Sequence, residues 1–401
     1  MLQLFRRCSR PPFDPLLFTL TCVVTLAGIP LLYSASYAEG LALHDDPQYF
    51  VLRQAAFALV GFAGLVAAAK VDLAWLRKRS RFFLGATVAL LFVCLSHGAL
   101  NGARRWISVG GFTVQPSEFA KLALIIYLAS YLAKAREWIQ EGWTPVVHVA
   151  LVTGGVALLL LLQPHLSALL LVVGVATVMV VLAGLPGNRV LSLGCVLLIA
   201  GVPLFQIAPR EQQNRVKVWL GLIQSEEDAY HQKQSLLAIE RGGALGVGFC
   251  EGRQKLRYLP ASHNDFIFSC IAEEFGFLGV VVVLSLFSAL VIRCYDIAHM
   301  CGSQFGSLLC TGVATLLGLE LVGHVGVATG LLPPTGVTLP LVSAGGSAFI
   351  CVLFGIGLVL NVSRGVSPEV EAMDDGFGFD GRGDGRTHLP APRPRRYGAV
   401  A

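Results

Sequence analysis

The chain has 401 residues, of which 55% are hydrophobic and only 14% charged, where soluble domains carry about a quarter. A soluble fold of this length has too little interior for so much apolar surface, so the composition excludes a soluble enzyme and makes the bilayer the solvent. The formal net charge of +5 is too modest to signal nucleic-acid binding and is informative only by position.

A spanning helix needs about 20 mostly apolar residues. Runs near that length lie at 15–35, 51–69, 82–98, 116–134, 145–163, 166–185, 190–208, 266–292, 305–329 and 346–363, which predicts ten helices. The first follows Arg6, Arg7 and Arg10, lacks a convincing cleavage site and precedes many more runs, so it reads as a transmembrane helix rather than a cleaved signal. Gln163, Pro164 and His165 leave only a tight hairpin between the fifth and sixth. Most of the ten cysteines sit in apolar runs as small hydrophobes, without zinc-like spacing or a disulfide pattern.

Lys and Arg in short loops set the orientation. Residues 70–81 carry Lys70, Arg77, Lys78, Arg79 and Arg81, whereas 36–50 carry Glu39, Asp45 and Asp46 and no Lys or Arg. Residues 1–14 are thus expected to be a cytoplasmic N-terminus and 15–363 a ten-helix membrane domain. The tail 364–401, rich in Gly, Asp, Pro and Arg, is expected to be disordered and cytoplasmic. The large loop 209–264 then faces outward with eight basic and six acidic residues. Long loops translocate largely regardless of charge, so the orientation stands, and the cations are either merely solvated or kept for a ligand.

Asp265 is the first candidate for chemistry. It stands in Ser262-His263-Asn264-Asp265-Phe266, where the polar loop meets an apolar helix. It either caps that helix or serves as a general base at a wet, basic interface. Glu118 and Lys121, three apart, share a face of the fourth helix. Buried charges usually pair or line a cavity, so these two either fix helix packing or mark a site. Glu320 and His324, four apart, form a second polar face. Of Glu273 and Glu274, at least one is expected to be a structural partner. The run from Gly330 to Pro340, continuing into Ser343-Ala344-Gly345-Gly346-Ser347, cannot be helical throughout. It is either a cavity wall or a plain connector. Trp106, beside Arg104 and Arg105, is an aromatic-belt residue or part of a site.

Four stretches together resemble one family: GARRWISVGGFTVQPSEFAKLALI (102–125), YHQKQSLLAIERGGALGVG (230–248), GRQKLRYLPASHNDFIFSCIAEEFGFLG (252–279) and TGLLPPTGVTLPLVSAGGSAFICVLFGIGLVLNVSR (329–364). It is the SEDS family of shape, elongation, division and sporulation proteins, which includes FtsW, RodA and SpoVE. The NDFIFSCIAEEFG and GVTLP wording is closer to FtsW and SpoVE. The resemblance implies an all-α integral membrane protein of about ten transmembrane helices, with both termini cytoplasmic, in the bacterial cytoplasmic membrane. It implies a peptidoglycan glycosyltransferase that polymerises lipid II for cell division or cell shape. The implied partners are a class B penicillin-binding protein, other divisome or elongation proteins and membrane lipid, with no nucleic acid. The family's catalytic Asp maps onto Asp265. Its important outer-loop Trp maps onto Trp106, its Glu and Lys onto Glu118 and Lys121, and the Ser of its SxGGS segment onto Ser343. His165 replaces the Asp of a frequent QPDLGT, Ala344 the Tyr of SYGGSS, and His324 a common Asn.

Polymerisation needs a sugar hydroxyl to attack an anomeric carbon that leaves a lipid pyrophosphate. Pyrophosphate leaves without a proton, so one carboxylate as base suffices where glycoside hydrolysis generally needs two. Asp265 is the expected base, and Arg104, Arg105, Arg215 and Lys217 are candidates to hold the pyrophosphate. No cluster has metal-ligand spacing, and Mg²⁺ or Mn²⁺ enters only as an ion held between Asp265 and the pyrophosphate. The rival readings are a lipid II flippase, suggested by the intramembrane charges, and a scaffold without catalysis.

Overall fold

Backbone polar groups left unpaired in hydrocarbon are costly, so an apolar chain crosses the bilayer as helices. The computed structural model describes residues 13–96, 105–109, 112–207, 209–222, 226–255 and 264–365. Arg6, Arg7, Arg10 and Arg104, and the expected disordered tail from residue 366 on, lie outside the described residues.

Twelve α-helices are formed among the described residues: α1 (Pro15–His44), α2 (Tyr49–Ala68), α3 (Leu73–Ser96), α4 (Pro116–Glu141), α5 (Thr144–Leu162), α6 (Leu166–Leu182), α7 (Gly187–Ile207), α8 (Arg210–Trp219), α9 (Glu226–Gly242), α10 (Ile267–Met300), α11 (Gln304–Ala328) and α12 (Gly346–Ser363). All but α8 and α9 overlap the ten apolar runs, though α1, α4 and α10 run past their expected ends and α3 begins at Leu73 rather than near 82; α8 and α9 occupy the segment read as an outer loop. Seven of the ten are long and apolar enough by themselves to cross a membrane, and α6 is a shorter apolar helix.

Helix starts follow local chemistry. Asp14 caps α1 by accepting from the Leu17 amide at 2.7 Å, and proline opens α1, α4 and α5, where its missing N–H costs nothing. Helix α11 is the central post, packed against α10, α4, α6 and α12, while α2 lies along α12 and α3 along α4. Residues 105–115, expected as loop, hold an antiparallel pair, β1 (Ile107–Val109) with β2 (Phe112–Val114), in register Ser108↔Thr113. The alternation Ile-Ser-Val and Phe-Thr-Val was the available signal.

Helix α10 is broken at Gly276, whose φ of 62° and ψ of −162° suit glycine alone. The chain after α9 repairs the break: the Phe277 amide donates to Gly243 O at 2.9 Å, and the Val247 amide to Glu273 O at 3.0 Å. Beside it, Lys255 is buried against Glu274 and donates to Ser34 Oγ at 2.7 Å. Glu273 accepts from the Arg253 amide at 2.9 Å. Both glutamates are therefore structural, and removing one partner of such a buried pair typically costs about 3–5 kcal/mol. Together these contacts clamp the outer segment onto the helix that Asp265 precedes.

Candidate active site

The 17 residues between α11 and α12 are irregular, and their polar groups are met one by one. His324 Nδ1 lies 2.7 Å from Val337 O, which makes that nitrogen the donor. Trp219 Nε1, at the end of α8, donates to Gly330 O at 2.9 Å, and Gln54 Nε2 donates to Ser343 O at 3.3 Å. Ser343 is buried; its hydroxyl accepts from the Leu339 amide at 2.9 Å and donates to Asn264 O at 2.8 Å. That bond seats the turn carrying Asp265. A Cβ on Gly336, which has φ 66°, would stand 3.4 Å from Asp265 Oδ2, so glycine lets this wall approach the carboxylate.

Asp265 is not the cap of α10. Phe266 holds the N-cap position and no side chain caps it. The half-buried carboxylate instead lines a cleft of about 610 Å³. Around it stand Arg53 of α2, Arg105 and Trp106 before β1, and Arg215 of α8. Asp265 is the one carboxylate among the described lining residues. Low-dielectric walls carrying several cations attract an anion into such a hollow. Every lining residue comes from a stretch that the expected orientation puts at the outer face.

Glu118 and Lys121 do not reach this cleft. They lie beneath it, in a chamber of about 30 Å³ that shares Gln115, His165, Gly336 and Thr338 with the cleft floor. Lys121 Nζ is 2.5 Å from Glu320 Oε1 and 2.9 Å from Glu118 Oε2, all three residues being buried. The triad ties α4 to α11. Glu320 and His324 are thus not a pair: one serves Lys121 and the other the Val337 carbonyl. Imidazole replaces carboxylate at position 165, and His165 Nε2 lies 3.4 Å from Gln115 Nε2.

Of the residues singled out in the sequence, the cleft gathers Asp265, Trp106, Arg105 and Arg215. Lys217 is half-buried on α8 without lining it, and Arg104 lies outside the described residues. Ser343, expected to touch substrate, is spent on backbone partners behind the wall. The lining also holds residues not singled out in the sequence, among them Arg53 and Gln54. Arg53 donates to Tyr49 Oη at 3.1 Å and its guanidinium lies 5.8 Å from the Phe57 ring centre. A guanidinium at the head of an apolar run was the signal, since ionisable groups there mark cavities.

The sequence profile of the cell cycle protein family that covers FtsW, RodA and SpoVE matches residues 14–367. This chain is a member of the FtsW/RodA/SpoVE family. It is 38% identical over 355 residues to a protein of Geobacter sp. (strain M18) named a probable peptidoglycan glycosyltransferase FtsW, covering 88% of this chain and 96% of that one. It is 35% identical to stage V sporulation protein E of Bacillus subtilis (strain 168), over 88% and 97% of the two chains. Among solved structures it resembles a chain of a peptidoglycan synthase complex, with TM-score 0.73, 31% identity and 88% and 98% coverage. It also resembles the rod shape determining protein RodA of Thermus thermophilus, with TM-score 0.64, 31% identity and 88% and 97% coverage. The FtsW and SpoVE relatives align with this chain, and the RodA structure superposes on it, over 88% of its length.

Proposed function

We propose that this protein is a peptidoglycan glycosyltransferase that polymerises lipid II at the outer face of the bacterial cytoplasmic membrane, for cell division or cell shape. The observation that carries the reading is the lining of the outer cleft, a single carboxylate set among Arg53, Arg105 and Arg215. Asp265 accepts the proton of the acceptor sugar hydroxyl as it attacks the anomeric carbon of the donor. Such base catalysis is typically worth about 10²–10⁴-fold. The bond from that carbon to the lipid pyrophosphate breaks, and the arginines stabilise the charge that gathers on the leaving oxygens. With no second carboxylate among the described lining residues to form a covalent intermediate, a single displacement with inversion is the simplest course. Trp106 supplies a flat wall beside the arginines, suited to a sugar face.

Among the described residues no three His, Cys, Asp or Glu side chains converge to hold a metal. The described residues alone do not gather an Mg²⁺ or Mn²⁺ site, and an ion here would take most of its ligands from the pyrophosphate. The likeness to a chain of a peptidoglycan synthase complex supports a class B penicillin-binding protein as partner. A flippase path through the buried triad is disfavoured, because Glu118, Lys121 and Glu320 satisfy one another and the chamber beside them admits only water.

The test is polymerisation of labelled lipid II by the purified protein, with and without the penicillin-binding protein. Asp265→Asn keeps the shape and removes the basicity, and should slow polymerisation by about 10²–10⁴-fold while leaving lipid II bound. Normal polymer from this variant would sink the assignment, and translocation in vesicles without polymer would turn the reading to a transporter.

A further inference from the structure

A second hollow lies at the opposite end of the bundle, where the start of α3, the last turns of α4 and the start of α11 come together. It measures about 360 Å³ and has Arg77, Lys78, Lys134 and Ser303 on its walls, with Leu73 and Phe305 as apolar lining and no carboxylate among its described residues. All of these residues belong to stretches that the orientation places at the cytoplasmic face.

Three other cations at that face have protein partners. Arg293 is 2.6 Å from Asp14 Oδ2. Arg189 donates to the carbonyls of Ile139, Glu141 and Gly142 at 3.0–3.1 Å, and Arg364 to Ala69 O at 2.9 Å. The hollow gathers three cations on its walls, and among the described residues none of Arg77, Lys78 and Lys134 makes an ion pair. The half-buried Arg77 lies with its guanidinium 5.8 Å from the Phe305 ring centre, and its Nε is buried without a hydrogen-bond partner. Asp72, nearby in the chain, is engaged with the Ala74 amide at 2.9 Å. Ser303 Oγ accepts from the Gly306 amide at 3.5 Å, which leaves its O–H to donate.

Three cations and a hydroxyl around one hollow, with apolar walls, suit a phosphodiester joined to hydrocarbon. We infer that this groove binds the headgroup of an anionic phospholipid of the cytoplasmic leaflet. Arg77, fixed against Phe305, gives directed donors to the phosphate, and the two lysines add charge from the rim. The surface potential of an anionic leaflet concentrates such lipids at that depth.

The experiment is native mass spectrometry of the full chain, purified in detergent and offered equimolar phosphatidylglycerol and phosphatidylcholine. Wild type should retain phosphatidylglycerol in preference. Lys78→Gln with Lys134→Gln should lower that retention about tenfold or more, since each cation near a membrane surface contributes strongly. Lys70→Gln with Arg79→Gln removes the same charge outside the groove and should leave retention unchanged. Equal loss in both pairs would reduce the effect to general surface charge and overturn the inference. Displacement of the lipid by millimolar inorganic phosphate would also overturn it, by making a free anion the ligand. If the groove pair fails to fold, Arg77→Lys, which keeps the charge and loses the planar fork, serves in its place; unchanged selectivity from it would count against the site.

Discussion

The outer cleft and the cytoplasmic groove are both hollows walled by cations, and they differ by one group. Arg53, Arg105 and Arg215 stand around Asp265 in the first, whereas Arg77, Lys78 and Lys134 have no carboxylate beside them in the second. Both suit a phosphate that carries a lipid. Only the first also holds a carboxylate, the group that the proposed reaction needs to do more with that phosphate than hold it.

The sharpest test makes the cleft like the groove. Asp265→Asn should lower the rate of lipid II polymerisation by about 10²–10⁴-fold in a purified assay, with lipid II affinity within a few-fold of wild type. An equal fall in affinity would mean that the carboxylate binds rather than reacts. Next, Arg215→Gln or Arg105→Gln should cost about 1.5–3 kcal/mol of transition-state stabilisation, seen as a fall in kcat/KM of roughly ten- to a hundredfold. Neither should alter phosphatidylglycerol retention. Ser343→Ala leaves the Leu339 amide and the Asn264 carbonyl short of a partner, a loss of about 1–3 kcal/mol. Thermal unfolding in detergent should report it, together with a lower kcat at nearly unchanged KM. Smallest of all, Lys78→Gln with Lys134→Gln should leave polymerisation in detergent within about twofold of wild type, because these cations contact neither Asp265 nor its cleft.

The helices were legible because hydrocarbon imposes a length and an apolar composition that few other structures share. The orientation rests on Lys70, Arg77 and their neighbours, of which Arg77 onward lie in the first turns of α3 rather than in a loop. Asp265 was legible as a polar residue at a boundary, and motif likeness singled it out. What stayed hidden depends on side-chain direction. Arg53 lies inside an apolar run, and composition does not tell which flank of a helix meets a cavity. Lys255 counted as one more loop cation until tertiary packing buried it against Glu274. Ser343 looked like a ligand contact because a hydroxyl is equally fit to hold substrate or backbone. Glu320 and His324 share a helix face by spacing, yet their partners lie on α4 and in the segment before α12, which local periodicity cannot report.

The bond from Ser343 to Asn264 joins positions 79 apart in the chain. Asp265 leaves the ribosome well before Gly336 and Ser343, the residues against which it is seated, and α12 follows both. A nascent chain that ends short of residue 343 carries the catalytic candidate without its seat. The cleft is therefore completed only as the final span is made, so truncated products inserted in the membrane should be inert rather than partly active.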